Sequence, residues 1–418
     1  MEVQSTKGGS GRQRHTAYKG AVAVIASNGR PREELYCSFF ARYTGCMFGS
    51  SAHHRGATLL VSVGAANISL GIVEYQKDSL VLRLSMSASL SAEERGEAQA
   101  ATGLKNLLKD KVPALLRVYA GTPGHKTIHD VFAIVHAPIS RSQIVTNIRL
   151  FGTEEKITDA LLDECARSAL GDIAKRPDFL GARLLQVRLD GYATARSEGK
   201  HAIEVEVIGL ACELDHAFKD PILSAIQAAL PGVPVNFRSG VLAIASIESA
   251  HDVDCVIFLL STEGTEIVVM RRGVPTTCAF VPIGMRSIAE RASKGTSPET
   301  LLSTLRIVRS GKGSDTALQE AEAALGAIEP EVAKVFGESL ALLSNPFRIP
   351  VRALLVCPSE MTEWFGRFLA RIDFAPFTLT AQPFEIAPVV LPDLGMRQKE
   401  KDPDLILATL LLKSEHAS

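Results

Sequence analysis

"LLVSVGAANISLGIVEY", Leu59–Tyr75, sets two short apolar runs on either side of a Gly-Ala-Ala-Asn step. Apolar runs of this length bounded by a turn signal read as paired strands. Further along, "CVIFLLSTEGTEIVVMRRGVPTTCAFVPIG", Cys255–Gly284, repeats the arrangement as strand, turn, strand, turn, strand. The recurrence predicts a doubled α/β fold whose turns face one another across a cleft. Successive backbone N–H groups in such turns make a concavity that attracts anions without any charged side chain. Two plain sheet hairpins would have the same pattern, so the residues at the turns must decide between the readings.

Outward from these hairpins the periodicity stays regular. "TLLVSVG", "ISLGIVEY" and "LVLRLSMSASL" are expected strands, followed by a helix near 93–116 with Leu104, Leu107, Leu108, Leu115 and Leu116 on its apolar face. "VFAIVHAP" (Val131–Pro138) and "SQIVTNIRLF" continue as strands, and "ITDALLDECARSALGDIA" is an amphipathic helix with Thr158 as its N-cap. "RLLQVRLDGYATA" and "AIEVEVIGLAC" turn at "SEGK", where Gly199 gives the backbone its freedom. "FKDPILSAIQAAL" reads as a helix with Pro221 in its first turn. "VRALLVCP" (Val351–Pro358) is a late buried strand. Residues 1–56 are basic, glycine-rich and aperiodic, which predicts an unordered extension or sequence upstream of a start at Met47.

Composition narrows the function classes. A chain of 418 residues with 46% hydrophobic and 22% charged side chains is globular rather than disordered, with room for two domains or more. A formal net charge of −1 gives no long-range attraction to nucleic acid or anionic lipid. The seven cysteines lie singly, without a C-x-x-C, as expected of reduced thiols in a cytoplasmic protein rather than a disulfide framework or zinc site. The apolar stretch "GAVAVIAS" is too short to span a membrane.

The run "GTEIVVMRRGVPTTCAFVPIGMRSIAERAS" resembles the second phosphate hairpin and following helix of the bacterial cell-division actin homologue FtsA. Thr265, the "RRGVP" turn and "VPIGM" are its landmarks. The upstream order, "ITDALLDECARSAL", "LDGYATARSEGKHAIEVEVIGLAC", then "DPILSAIQAALPGVPVNFRSGVLAIASI", is similar to that family's plan, which the pilus-assembly homologue PilM shares. The resemblance covers about Thr58 to the C-terminus. It implies an actin-like (ribonuclease H-like) two-domain α/β fold with a small inserted α+β subdomain. The implied divisions are 57–130 for the first part of domain 1, 131–212 for the insertion, 213–247 for the return and 248–418 for domain 2, with a helical subdomain near 286–347. It also implies ATP with magnesium, a tubulin-like division protein or a pilus assembly protein as partner, and self-polymerisation.

At the nucleotide turns this chain departs from the pattern. The residues that would line the site are Ser62, Gly64, Ala65, Ala66 and Asn67 in the first turn, and Ser261, Thr262, Glu263, Gly264, Thr265 and Gly284 in the second. Ser62 stands where the family places an acid, and Leu259 and Ser261 stand where an Asp-apolar-Gly turn is expected. Magnesium needs oxygen ligands, usually one or two carboxylates, to sit beside nucleotide phosphates. The adenosine turn offers Pro358 and Ser359 in place of a glycine pair, and proline brings no N–H donor. A degenerate site is therefore expected, with ATP bound weakly at most and no efficient hydrolysis. A scaffold of FtsA type is the leading expectation, a PilM-like pilus platform the second, and an actin-superfamily ATPase or small-molecule kinase the third.

The segment "SPETLLSTLRIVRSGKG" should form a helix starting near Ser297, with Arg306, Arg309 and Lys312 on a basic edge suited to an acidic partner peptide. In FtsA-type chains a membrane helix follows the actin core. Here "DPDLILATLLLKSEHAS" reads as the core's own last helix, so any membrane association is expected to be indirect. Other patterns carry less. "RSGKGSDT" lacks Walker spacing, "HDVD" reads as a polar turn before a strand, and Trp364 in "EMTEWFGRFLARI" has the helical spacing of a core residue.

Overall fold

The computed structural model describes residues 56–417, apart from 77–78, 92, 248–252, 294–296, 310–311, 346 and 390–401. The extension expected over 1–56 falls, but for Gly56, outside the described residues, all of which belong to one compact unit, 39–418. In chain order the elements are β1 (Ala57–Val63), β2 (Asn67–Gln76), β3 (Ser79–Ser89), α1 (Glu97–Ala120), β4 (Ile128–Val135), β5 (Ser140–Lys156), α2 (Asp159–Leu170), β6 (Phe179–Leu189), β7 (Tyr192–Thr194) and β8 (His201–Leu214). They continue with α3 (His216–Ala229), β9 (Val235–Ser239), α4 (Gly240–Ala245), β10 (Cys255–Leu260), β11 (Thr265–Arg271), β12 (Val274–Val281), α5 (Met285–Ala292), α6 (Pro298–Arg309) and α7 (Asp315–Leu343). β13 (Arg352–Val356), α8 (Ser359–Arg371), β14 (Glu385–Pro388) and α9 (Pro403–Ala417) complete the chain.

Two five-stranded sheets share one topology. The first runs β3-β2-β1-β4-β9 and the second β12-β11-β10-β13-β14. In each, three strands pair antiparallel as hairpins, and the strand that opens them then pairs parallel with a later one, β1 with β4 and β10 with β13. The duplicated hairpins of the sequence are thus the opening ribbons of two copies of the same sheet.

Alternation along the central strands divides the core. Leu59 and Val61 of β1 face outward, packing with Leu104, Leu108 and Val112 of α1 and Ile222 and Ile226 of α3. Val256 and Phe258 of β10 likewise pack under Val332 and Phe336 of α7 and Phe365 and Phe368 of α8. The inner faces meet in one shared core, where Leu60, Ile134, Ile257, Leu259, Val268 and Leu354 close on α4 and α9. Every residue of α9 from Leu405 to Leu412 is buried, which suits a helix apolar on all sides lying between two sheets. Near its end Glu415 accepts from Arg238 Nε and Nη2 (2.7 and 3.0 Å) and from Arg183 of β6 (2.7 Å).

The insertion starts later than the sequence expectation of 131. "VFAIV" belongs to β4, parallel to β1 with Val131 opposite Leu59 and parallel to β9 with Val131 opposite Val235. A continuous apolar run is the signature of a strand covered on both faces, and β4 is such a strand. The inserted unit is the antiparallel sheet β5-β8-β6-β7 with α2 against it, spanning 140–214. Thr158 caps α2 as expected, accepting from Leu161 N. Pro221 is not in the first turn of α3, because Asp215 caps that helix earlier by accepting from Ala217 N at 2.8 Å.

Candidate functional site

The first turn closes on itself. Gly64 N–H donates to Asn67 O (2.9 Å), and Leu90 N–H donates to Ala66 O (2.8 Å), tying the turn to the end of β3. The Asn67 side chain occupies the space beside Gly64, its Oδ1 2.3 Å from where a Cβ would stand. Ser62, at the position where an acid was expected, is 1% exposed and turned inward.

The second turn is more firmly occupied. Ser261 N–H donates to Gly264 O (2.9 Å), and the Ser261 hydroxyl donates to the same oxygen (2.8 Å). The first N–H groups of a helix are the usual anion donors. Here those of α5 are already engaged: Met285 N–H with Ser261 O (2.9 Å) and Arg286 N–H with Thr262 O (3.0 Å). Gly284 N–H donates to Ser287 Oγ (2.9 Å). A Cβ on Gly284 would lie 2.3 Å from Gly264 N and 2.5 Å from Glu263 C, so the helix start is pressed against the turn. Thr265 points away and donates to Ile283 O (2.7 Å).

Two polar ties bring the turns together. At the mouth, Arg95 lies 3.5 Å from Glu263. Deeper, the Ser62 hydroxyl meets His136 Nε2 at 3.0 Å, and His136 Nδ1 meets Glu266 Oε1 at 3.1 Å. The same Glu266 oxygen accepts from Ala137 N–H at 3.0 Å. Ser62, His136 and Glu266 come from β1, the end of β4 and β11, so the relay runs from the first sheet to the second. His136 is held by its own N–H, which donates to Val63 O (3.0 Å), and by Gly240, where a Cβ would stand 2.4 Å from the ring.

The electrostatics follow from burial and charge. Burial pulls the His136 pKa down, but the charge and hydrogen bond of Glu266, with Asp404 and Asp402 behind them, outweigh it and raise the group to about 9. Burial raises Asp404 to about 6, against the pull of His136. At neutral pH the imidazole is therefore a cation, donating from Nδ1 to Glu266 and from Nε2 to Ser62 Oγ. A serine, histidine and carboxylate in line resemble a nucleophilic triad. With Ser62 and Glu266 1% and 4% exposed, no substrate reaches them, and the arrangement is a structural relay.

Ser62 is engaged by His136, the α5 donors are taken by carbonyls, and Pro358 leads directly into α8 with Met361 N–H on its oxygen (3.0 Å). Among the described residues, no group of three or more His, Cys, Asp or Glu side chains could hold a metal ion.

The structure thus gathers both sets of turn residues, with Ser62, Gly64, Ser261, Thr265 and Gly284 bonded within the protein. His136 and Glu266 were not singled out from the sequence as partners. Their signals were a histidine ending a buried strand and an acid in the inward register of "TEIVVM". On α6, Arg306 is ion-paired with Glu360 of α8 (2.8 Å), and Lys312 is exposed beyond the helix end. The Arg309 side chain lies outside the described residues.

No protein-family model matches the chain, and no curated protein matches it by sequence. Among solved structures, a "PilM-PilN type IV pilus biogenesis complex" is similar over 87% of this chain and 99% of that one, with 14% identity and a TM-score of 0.57. The ethanolamine utilization protein EutJ of Carboxydothermus hydrogenoformans is similar over 79% and 84%, with 14% identity and a TM-score of 0.36. A Bacteroides thetaiotaomicron protein described as having an actin-like ATPase fold is similar over 59% and 76%, with 10% identity and a TM-score of 0.29. The fold of this chain is actin-like, as the sequence resemblance implied.

Proposed function

We propose that this actin-fold chain is a scaffold that works through protein–protein contact, without efficient ATP hydrolysis, as an assembly platform of the PilM kind. The observation that carries the reading is the second turn, where the first two α5 N–H groups, anion donors at an open helix start, are spent on Ser261 and Thr262 carbonyls. Removing a transition-state charge stabiliser typically costs about 10²–10³ in rate, and neither turn places a carboxylate where the expected acid would stand. An actin-superfamily ATPase or kinase is disfavoured on that ground.

The fold likeness spans 99% of the PilM chain, a protein solved as part of a pilus biogenesis complex with PilN. A PilN-like assembly protein is therefore the partner class this reading expects. A cell-division role of FtsA type, with a tubulin-like partner and self-polymerisation, is the second reading. It is favoured by the Thr265–Gly284 segment, which forms the ribbon and helix start that the resemblance implied. We assign Arg306, Arg309 and Lys312 as the partner-facing edge, where an acidic partner would compete with Glu360 for Arg306. Among the described residues no helix is long and apolar enough to cross a membrane, so on this reading the scaffold reaches a membrane through its partner, from the cytoplasmic side.

The test is binding of the full chain to the cytoplasmic segment of a PilN-type protein and, in parallel, to the tail of a division tubulin. Binding of the first, weakened in an Arg306→Glu, Arg309→Glu variant, is expected. Binding of the tubulin tail alone would transfer the assignment to division, and binding of neither would remove the scaffold reading.

A further inference from the structure

We propose that the two sheets of the fold are tied from inside by Glu266, which reaches out of the second sheet to the Ala137 N–H and the His136 ring of the first, so that the chain's own carboxylate does the joining work between its halves. The tie is independent of which partner the scaffold serves.

Three observations converge on this carboxylate. Its Oε1 accepts two hydrogen bonds, from Ala137 N–H (3.0 Å) and His136 Nδ1 (3.1 Å), both from the segment that ends β4. It sits on β11 beside Val268 and Met270, in the inward register whose other members are apolar and belong to the shared core. A lone acid in such a register is retained only with partners, because an unpaired buried carboxylate is very costly. Finally, the groove for its partner is prepared: Gly240 at the start of α4 leaves room for the ring, where any side chain would collide with His136 Nδ1.

The charges around the ring make the tie conditional. Facing His136 are Glu266 from β11, Ser62 from β1, and Asp402 and Asp404 from the start of α9. Asp402 is itself held by Ser87 of β3, whose hydroxyl donates to it at 2.9 Å. One imidazolium therefore stands among three carboxylates contributed by both halves. Removing its proton leaves those acids facing each other without a cation, and removing the Glu266 charge leaves the imidazolium without its cross-sheet acceptor. Either change loosens the same joint. The mouth contact, Arg95 with Glu263, is longer and more exposed and is the lesser partner.

The experiment is amide hydrogen exchange on the full chain at neutral pH, comparing wild type with Glu266→Gln and Glu266→Ala. The glutamine keeps the shape and an acceptor but not the charge. We expect exchange at Ala137 and at the 64–67 and 261–264 turns to rise about tenfold in the glutamine variant, as for loss of one charge-assisted bond. The rise should be larger in the alanine variant, while the distant β6–β8 sheet keeps its protection. Unchanged exchange at Ala137 in Glu266→Gln, or a uniform rise across all elements including β6 and β8, would overturn the proposal. If Glu266→Ala does not fold, His136→Gln replaces it under the same criteria. Adding magnesium ATP to the wild type separates this proposal from the functional one: slower exchange at the turns would count against the degenerate site and leave the tie standing.

Discussion

Alkaline titration of His136 should cost this protein stability over a range in which most globular proteins change little. The ring is buried, and its pKa stands at about 9 in the fold, against about 6.5 in an unfolded chain. Between those values the native state holds one proton more than the unfolded state, so stability must fall as pH rises. The contribution is fully present below about pH 6.5 and is lost as pH climbs through about 9. Integrating the two titrations gives a loss of about 2 kcal/mol between about pH 6.5 and 8.5. Asp404 works in the opposite range: its pKa, raised to about 6, destabilises the fold progressively as pH rises to that value and adds no slope above it. Buried thiols set the upper limit of the window. Cys212 and Cys278 are pushed up to about 12 by burial, so they add their own downward slope once free thiols ionise above about pH 8.5. The assay is urea unfolding at intervals through the window for wild type and His136→Gln. Wild type should lose about 2 kcal/mol and the variant less, its remaining slope coming from Asp404, whose pKa rises further once the His136 charge is gone. A wild-type slope that is flat, opposite in sign or unchanged in the variant would refute the assignment of a buried imidazolium.

Other outcomes follow from packing. Gly284→Ala places a Cβ against backbone on the opposing turn, which cannot retreat as a side chain would, and should destabilise by about 1–3 kcal/mol in thermal unfolding. Leu407→Ala empties a fully buried site on α9 between the two sheets and should cost about 2–5 kcal/mol by the same measure. Glu415→Ala leaves Arg238 and Arg183 without their shared carboxylate; a loss of about 2 kcal/mol in urea is expected, and Arg183→Ala in the same background should add little.

How much of this could be read beforehand depended on the range of each interaction. The two hairpins were legible because strand alternation and turn residues act within a few positions, and their repetition gave the duplicated sheet. Thr158 and the α6 start near Pro298 were legible for the same local reason. β4 was misplaced because "VFAIV" reads as a buried strand wherever it lies, and its parallel neighbours are far away in sequence. The departure at Ser62 was visible as a missing acid, but its meaning was not. Its hydroxyl is engaged by a ring 74 residues away, and that ring by a carboxylate 130 residues beyond it. No periodicity encodes such a pairing. The α5 donors were hidden in the same way, since Gly284 signals a helix start whether its N–H groups meet a phosphate or a neighbouring carbonyl.

The proposed function rests on turns in which Ser62, Ser261 and Gly284 are bonded within the protein. The most direct measurement is thermal unfolding of the full chain with and without about 1 mM magnesium ATP, paired with phosphate release. Ligand at about 1,000 times its dissociation constant would add about 4 kcal/mol, a shift of several degrees. The account predicts an unchanged midpoint and phosphate release at background. A rise of several degrees, or turnover on the order of 1 per second, would contradict it.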